Sequence, residues 1–424
     1  MESAQRKETI TVLRRLIAYA EKIFDLSRDV IAPIPDGRPQ PRIATATVVK
    51  SALVMFWARM GSLNALEQTA SAHFWKSWLD QSPGSADTVG RVHARMDAGA
   101  LRKGIHHIYD RLKRNKALPD TQGVGVAVVD GHESHASYLS HCPGCLQRTI
   151  HCETGDRIQF YHRQVTLLLL PAAPPGREPV RLLLDHEPQR AGEDEVTTAL
   201  RLLERVIPAY PRAFDLVLAD ALYGTAPFFN FLLAHGKHAL VVLKDDRRNL
   251  YQDAAGLFDS VAPTAGRYRS RPCSWWDFPD LRSWPQVNVP VRVLRSLETY
   301  SVRRQLDQQD CSQTSDWIWV TTLPASQVPT QQAIGFGHQR WDIENPGFNE
   351  LVNQWDADHV FQHDPQAIEC FLLVAFLAYN IFHAFLALNL KPQIRQGKTQ
   401  SFWAKLIAAE LYIYTEVIPT SLSP

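Results

Sequence analysis

The chain has 424 residues, of which 45% are hydrophobic and 21% are charged. This length can bury a large core in two or three domains, and the composition excludes fibrous and intrinsically disordered proteins. The net charge of +1 is unevenly distributed: residues 1–120 hold 19 basic and 12 acidic residues, a net of +7, and the remainder holds 26 and 32, a net of −6. A basic N-terminal part joined to an acidic body fits a DNA-contacting region beside a metal-binding one, although ordinary proteins also show such differences.

The N-terminus carries basic and polar residues but no apolar signal-peptide core, so we expect a cytoplasmic protein. The stretch 368–390 is apolar enough to span a bilayer. It is interrupted by four polar residues, Glu369, Asn380, His383 and Asn389. Because no basic flank precedes it, we predict a buried core helix and no membrane partner.

Apolar residues recur at helical spacing in three stretches of the N-terminal region: residues 1–30, about 45–79, and from Ser85 onward. Ser85 or Asp87 would cap the third helix. Most of the clustered positive charge lies in these helices. We therefore predict a helical, DNA-binding domain over residues 1–117, with a helical domain that only packs as the alternative.

Strands begin after Thr121, where an apolar, β-branched run ends in Asp130. We predict four more strands, at 156–171, 179–188, 214–224 and 238–246. Helices separate the last three of these strands, so the order β-β-β-α-β-α-β predicts a mixed α/β sheet. Asp220 also follows an apolar run, and it should lie near the same edge of the sheet as Asp130.

Residues 247–330 break this alternation, because Trp, Pro and alternating apolar residues there predict β-hairpins. The helical pattern resumes near residue 331 and continues into the apolar helix, with an interruption at Pro346 and Gly347. We therefore predict a catalytic α/β domain over 118–246 and 331–395, a β-rich insertion over 247–330, and a helical tail over 396–424.

Acids at strand ends suit a metal site, since a rigid sheet can present them to a cleft in a fixed geometry. Asp130, Asp220 and a third acid on a helix would provide the oxygen ligands that Mg²⁺ prefers. Two such ions would support phosphoryl transfer without a covalent enzyme intermediate. The alternative is that these aspartates only cap helices or anchor loops.

Three sequence blocks carry a resemblance to a known family: Asp130 in VVDGHE, Asp220 in LADALYG, and Arg340 with Glu344 in HQRWDIENPGFNEL. They resemble the catalytic blocks of DDE transposases from bacterial insertion sequences, in the cut-and-paste group with a β insertion before the glutamate. The resemblance covers roughly residues 85–390. It implies a ribonuclease H-like core, with Asp130, Asp220 and Glu344 as catalytic residues holding two Mg²⁺ or Mn²⁺ ions.

The third block of that family reads Tyr-x-x-Arg-x-x-x-Glu, with a basic residue seven positions after the glutamate. The interval from Arg340 to Glu344 fits, but Gly337 stands at the tyrosine position and Leu351 at the basic one. Arg340 is interpreted as a phosphate contact, with a surface ion pair to Glu344 as the alternative. Two other acids lie close by: Asp342 should face away from Glu344, and Glu350 is the rival third ligand.

A cluster of cysteine and histidine follows the first catalytic block. Cys142, Cys145 and Cys152, with His151, predict a zinc site, since zinc takes four N or S ligands in a tetrahedron. The fourth ligand could instead be His141, His132 or His135. A redox pair or unrelated thiols are the alternatives.

The resemblance implies a transposase that cleaves transposon ends and joins the 3′-hydroxyl to target DNA. Its partners would be the terminal inverted repeats, target DNA and a second copy of the chain. The resemblance also implies a bacterial protein associated with the nucleoid. Lys244, Arg247 and Arg248 are candidate DNA-backbone contacts, with plain surface residues as the alternative. A ribonuclease H-like nuclease and a catalytically decayed transposase that only binds DNA are the competing hypotheses.

Overall fold

A computed structural model describes residues 11–413, except residues 122, 154, 270 and 304–308. The predictions for residues 1–10 and for 414–424 of the tail therefore lie outside the described residues. The N-terminal region is helical, as its apolar spacing predicts. Its helices are α1 (Val12–Phe24), α2 (Thr45–Trp57), α3 (Leu63–Gln68), α4 (His73–Leu79), α5 (Ala86–His93) and α6 (Ala98–Arg114), with a π-helical turn at Leu26–Ile31.

Helix caps divide the third predicted helical stretch into two helices. The Ser85 side chain accepts a hydrogen bond from the Thr88 amide at the start of α5. The Asp97 side chain accepts one from Gly99 and starts α6. These side chains satisfy amides that have no partner within the helix, which is why each helix begins where it does.

The next part of the chain builds the core of the sheet. Its strands are β1 (Val126–Ser137), β2 (Leu146–Ile150), β3 (Arg157–Leu169), β4 (Leu182–Pro188), β5 (Leu216–Ala219) and β6 (His238–Val242). Helix α7 (Glu195–Ala209) precedes β5, and α8 (Ala226–Ala234) precedes β6. The apolar runs at the start of β1 and throughout β5 are fully buried, as expected for strands covered on both faces.

Five of these strands lie side by side in the order β4-β3-β1-β5-β6. Strand β3 is antiparallel to both β1 and β4, while β1, β5 and β6 run parallel. Helix α7 packs against β3, β4 and β1, and α8 packs against β6. This mixed sheet flanked by helices confirms the ribonuclease H-like fold class.

The β-rich segment extends the same sheet. It contains α9 (Asn249–Ser260), β7 (Thr264–Tyr268), β8 (Arg271–Leu281), β9 (Val291–Arg303) and β10 (Asp310–Thr321). Strand β10 pairs antiparallel with β6, which makes a ten-stranded sheet among the described residues. The predicted β-hairpins therefore extend the core sheet beyond β6.

The chain ends in helices. They are α10 (Thr330–Gln339), α11 (Glu350–Trp355), α12 (Pro365–Ala384), α13 (Pro392–Arg395) and α14 (Gln400–Ile413), with π-helical turns at Ile343–Asn349 and Phe385–Asn389.

The apolar helix α12 lies at the centre of the molecule. It packs against α2, α5, α6 and β4. The stretch Pro365–Asn389 is long and apolar enough to cross a membrane, and 83% of its apolar window is buried inside the protein. This burial supports the predicted core helix. The helices of residues 11–114 therefore share a core with the sheet, and a separate DNA-binding domain over 1–117 stays a prediction.

Candidate active site

Asp130 and Asp220 lie at the same edge of the sheet. Strands β1 and β5 are parallel neighbours that pair Val128 with Leu218. Each aspartate comes two residues after its member of this pair, so the two acids are level across adjoining strands. The Asp130 side chain is only 14% exposed.

Each aspartate also supports its local backbone. Asp130 Oδ1 accepts a hydrogen bond from the Gly131 amide at 3.0 Å. Asp220 Oδ1 accepts one from the Leu222 amide at 2.8 Å and caps the short 3₁₀ turn Ala221–Tyr223. Capping and metal binding are compatible here, because each carboxylate accepts the backbone hydrogen bond with Oδ1 and could bind a metal ion with Oδ2.

Arg340 joins the third acid to the first. Its Nη1 lies 2.8 Å from Glu344 Oε1 and 3.9 Å from Asp130 Oδ2. The guanidinium is almost fully buried and lies 4.2 Å from the centre of the Trp341 ring. Arg340 and Glu344 thus share one face, as their spacing predicts, and their ion pair is partly buried.

Burial is the largest cause of the raised pKa of Asp130. Together with the negative charge of Asp220, it raises the pKa of Asp130 from 3.8 to about 7, against the opposing charge of Arg340. Glu195 and Glu344 add smaller increases. The ligand atoms of Asp130, Asp220 and Glu344 do not all lie within 4.8 Å of one another. Ionised Asp130 and Asp220 nevertheless repel each other, and a divalent cation would remove that repulsion.

This raised pKa predicts a pH-dependent stability. The folded protein binds a proton at Asp130 more tightly than the unfolded chain, so its contribution to stability is complete below pH 3.8 and is lost as the pH rises through about 7. At roughly 1.4 kcal/mol per pKa unit, the ionised carboxylate costs on the order of 4 kcal/mol. With EDTA present, Asp130→Asn should raise the thermal unfolding midpoint at pH 8 and leave it nearly unchanged at pH 4. An equal difference at both pH values would contradict this account.

A fourth carboxylate, Glu195, lies beside the site and was missed in the sequence analysis. It is the first residue of α7, and it is buried. Its Oε2 lies 2.5 Å from Arg163 Nη2. Gly131 approaches it so closely that a Cβ atom there would overlap the Glu195 carboxylate. The acids at the start of this helix were visible in the sequence, but their burial against Gly131 was not.

Gly131→Ala should therefore destabilise the protein. The added methyl group must displace Glu195 and its ion pair with Arg163, and overpacking of this kind costs about 1–3 kcal/mol. Chemical denaturation would measure the change. Gly256→Ala in α9 is the matched control, because nothing lies within 4 Å of its Cβ position, and it should be neutral or slightly stabilising. Equal effects of the two substitutions would contradict the proposed overlap.

The departures from the family signature have structural reasons. A Cβ atom at Gly337 would lie 2.5 Å from the Trp319 ring, so the indole occupies the space that a tyrosine side chain would need. Leu351, at the position of the basic residue, is buried in the core. The interruption after Glu344 appears as the π-helical segment Ile343–Asn349. Such segments recur at functional sites.

The two competing acids near Glu344 have other partners. Asp342 pairs with Arg181 at 2.8 Å, so it points away from Glu344 as expected. Glu350 is buried and accepts hydrogen bonds from Trp355 Nε1 and His383 Nε2, both at 2.9 Å. These bonds indicate a structural role for Glu350.

The three predicted basic contacts follow β6, at the edge that carries Asp130 and Asp220. Lys244 and Arg247 are exposed. Arg248 donates hydrogen bonds to the Gly224 carbonyl and to Asp245, so it holds the loop after Asp220 against the loop after β6.

The predicted zinc ligands are brought together only in part. Cys142 and Cys145 meet His162 of β3, and among the described residues this is the one group of three or more His, Cys, Asp or Glu whose ligand atoms all lie within 4.8 Å. Cys152 is exposed, and His151 pairs with Asp156 at 2.8 Å. Both lie beyond the far end of β2, whose five extended residues carry them away from Cys145. Their assignment as ligands is therefore corrected.

The other candidate histidines are also placed. His141 stacks on Phe160, and His132 stacks on Phe348. His135 lies near His363, with 5.4 Å between ring centres. Burial, followed by the electrostatic effects of His135 and His363, lowers the pKa of His162 to about 4.

A family described as "Transposase DDE domain" matches residues 179–381. The matched segment runs from just before β4 into α12 and contains Asp220, Arg340 and Glu344, while Asp130 precedes it. Comparison with curated proteins finds no match.

Proposed function

Because the chain carries a transposase DDE domain and belongs to the DDE transposases, we propose that it cleaves the ends of an insertion sequence and joins the freed 3′-hydroxyl to target DNA. The observation that carries this proposal is the placement of Asp130 and Asp220 at one end of two adjoining parallel strands, with Arg340 linking Asp130 to Glu344. Such a constellation suits phosphoryl transfer, in which catalysis depends on positioning and on stabilising charge.

Asp130, Asp220 and Glu344 are the residues that would hold divalent cations. All three offer carboxylate oxygens as metal ligands. The negative charges of Asp220 and Glu344 raise the pKa of Asp130, and a bound divalent cation would offset this repulsion. When bound, two Mg²⁺ or Mn²⁺ ions would activate the attacking group, water for cleavage and the 3′-hydroxyl for joining, and stabilise the leaving oxygen. Glu195 and Arg163 hold the chain at Gly131, and Asp220 holds its own loop through the cap at Leu222.

Arg340 has a separate role in this proposal. Its guanidinium is buried between Asp130 and Glu344, and it compensates both charges. A cation bound by the acids would supply that compensation instead, and Arg340 would then be available to contact a DNA phosphate. Exposed Lys244 and Arg247 at the same edge would contact the DNA backbone, and Arg248 would position the loop after Asp220. Bringing two transposon ends together requires at least a homodimer.

The test uses the full chain, Mg²⁺ and a labelled DNA fragment taken from the sequence that flanks the gene. Cleavage at the end of the inverted repeat should leave a 3′-hydroxyl, and joining of this end to a plasmid should follow. EDTA should stop both steps. DNA binding without any metal-dependent cleavage would overturn the proposal and support the decayed transposase. Cleavage without joining would support a ribonuclease H-like nuclease.

A further inference from the structure

We propose that Cys142, Cys145, His162 and His135 form a structural zinc site, separate from the acids at the sheet edge. The first three residues are already gathered. The site joins the end of β1, the loop after it, and β3. It differs from the sequence-based assignment in taking both nitrogen ligands from the sheet, in place of Cys152 and His151.

The distances match tetrahedral zinc. The Sγ atoms of Cys142 and Cys145 are 3.8 Å apart, and each lies 3.3 Å from His162 Nε2. With Zn–S bonds of about 2.3 Å and Zn–N bonds of about 2.0–2.1 Å, tetrahedral geometry requires separations of about 3.8 Å for S···S and about 3.6 Å for S···N. These three side chains therefore need to shift by only a few tenths of an ångström, whereas the His135 ring, which lies outside this group, must move further to complete the tetrahedron.

The backbone between the two cysteines forms a turn suited to thiolate ligands. The Cys145 amide donates to the Cys142 carbonyl at 3.1 Å, and the Cys142 amide donates to Cys145 Sγ at 3.2 Å. An amide directed at sulfur stabilises the charged thiolate. Gly144 allows the turn to pack on Pro365 at the start of α12, since a Cβ atom there would lie 3.0 Å from the proline ring.

His135 is the fourth ligand for a conformational reason. It has a φ of 52° and occupies the bulge in β1, where the pairing with β3 shifts between Ser134 and Ala136. A residue with a side chain adopts this left-handed conformation at a cost in free energy. Bulges and strained backbone of this kind cluster at functional sites. His135 Nε2 is buried and has no hydrogen-bond partner among the described residues. His363, the other nearby histidine, is exposed.

Antiparallel pairing explains why His162 reaches the cysteines. Leu146 of β2 pairs with Tyr161 of β3, which places Cys145 and His162 next to each other at the end of the ladder. A bound zinc ion would therefore tie β1, β2 and β3 together and fix this end of the sheet against α12.

The test is the zinc content of the purified full chain, with about one equivalent expected for one four-ligand site. Cys145→Ser and His162→Ala should remove the zinc, and Cys152→Ser should retain it. The Co²⁺-loaded chain should show intense visible bands typical of tetrahedral cobalt with thiolate-to-metal charge transfer. The His135→Ala variant should bind zinc at least about 100-fold more weakly, a larger loss than an outer partner of a ligand causes. The matched control His363→Ala should leave the affinity unchanged.

Three results would overturn the proposal: a chain without zinc whose Cys142 and Cys145 form a disulfide, zinc loss in Cys152→Ser, or weaker zinc binding in His363→Ala but not in His135→Ala. Asp130→Asn should keep its zinc, so failure of this proposal is distinguishable from failure of the proposed DNA chemistry. If Cys145→Ser or His162→Ala fails to fold, His135→Ala and the cobalt spectrum of the unaltered chain test the same site.

Discussion

Asp130→Asn and Asp220→Asn should each lower the rate of DNA cleavage by at least about 10³-fold while the protein stays folded. Loss of a single preorganised charge-stabilising contact costs about 10²–10³ in rate, and loss of a cation ligand should cost at least as much. Asparagine keeps the backbone hydrogen bonds, because its oxygen can still accept from Gly131 in one case and from Leu222 in the other. The measurement is the initial rate of end cleavage in Mg²⁺.

Asp215→Asn is the matched control for this experiment. Asp215 lies just before β5, at the end opposite Asp220, and its Oδ2 accepts a hydrogen bond from the Gly125 amide at 2.8 Å. It thus makes the same kind of backbone contact without belonging to the site, and cleavage by this variant should stay close to the wild-type rate. If Asp215→Asn lost as much activity as Asp130→Asn, the acids would act through the fold and not through the chemistry.

Glu344→Gln and Glu350→Gln should separate catalysis from stability. Glu344 is partly exposed, and its ion-pair partner among the described residues is Arg340, so Glu344→Gln should abolish cleavage and change the unfolding free energy by less than about 1 kcal/mol. Glu350 is buried among Trp355, His383 and Arg59. Removal of its charge should cost roughly 3 kcal/mol, as for other buried pairs that lose one partner.

Cleavage rates measured below the unfolding temperature, with urea denaturation of the same samples, distinguish the two glutamates. We expect Glu350→Gln to cleave DNA at a rate similar to wild type when it is folded. Full activity in Glu344→Gln, together with an inactive but folded Glu350→Gln, would make Glu350 the third ligand.

The two aspartates could be predicted from the sequence because strand ends are local features. A buried strand reveals itself by its apolar run, and an acid directly after it must lie at the edge of the sheet. Glu344 was predicted from the resemblance of its Arg-x-x-x-Glu block to the family signature, and its ion pair with Arg340 fits the helical spacing of the two residues.

The zinc ligands could not be predicted in full, because β2 carries almost no hydrophobic signal. Its residues Leu146–Ile150 are mostly exposed, so no apolar pattern announces a strand. Without that strand, neither the hairpin to β3 nor the approach of His162 to Cys145 can be inferred. The pairing of β10 with β6 could not be predicted for a related reason, since the spacing of apolar residues within a segment does not indicate which distant segment it pairs with.

Glu195 shows a third kind of limit. Asp194 and Glu195 are adjacent acids at the start of α7, and both suit a helix N-terminus. Asp194 caps the helix through the Thr197 amide, whereas Glu195 is buried against Gly131. Only the packing of α7 on β1 decides which acid faces the site.

Replacement of Asp130 by cysteine tests most directly whether this residue binds the catalytic metal. A thiolate is a poor ligand for Mg²⁺, while Mn²⁺ accepts sulfur more readily. Asp130→Cys should therefore cleave transposon-end DNA at least about 10³-fold more slowly than wild type in Mg²⁺ and recover a substantial part of that loss in Mn²⁺. Asp130→Asn should recover far less. Wild-type cleavage by Asp130→Cys in Mg²⁺ would contradict metal binding at Asp130, and so would equal activities of the two variants in Mn²⁺.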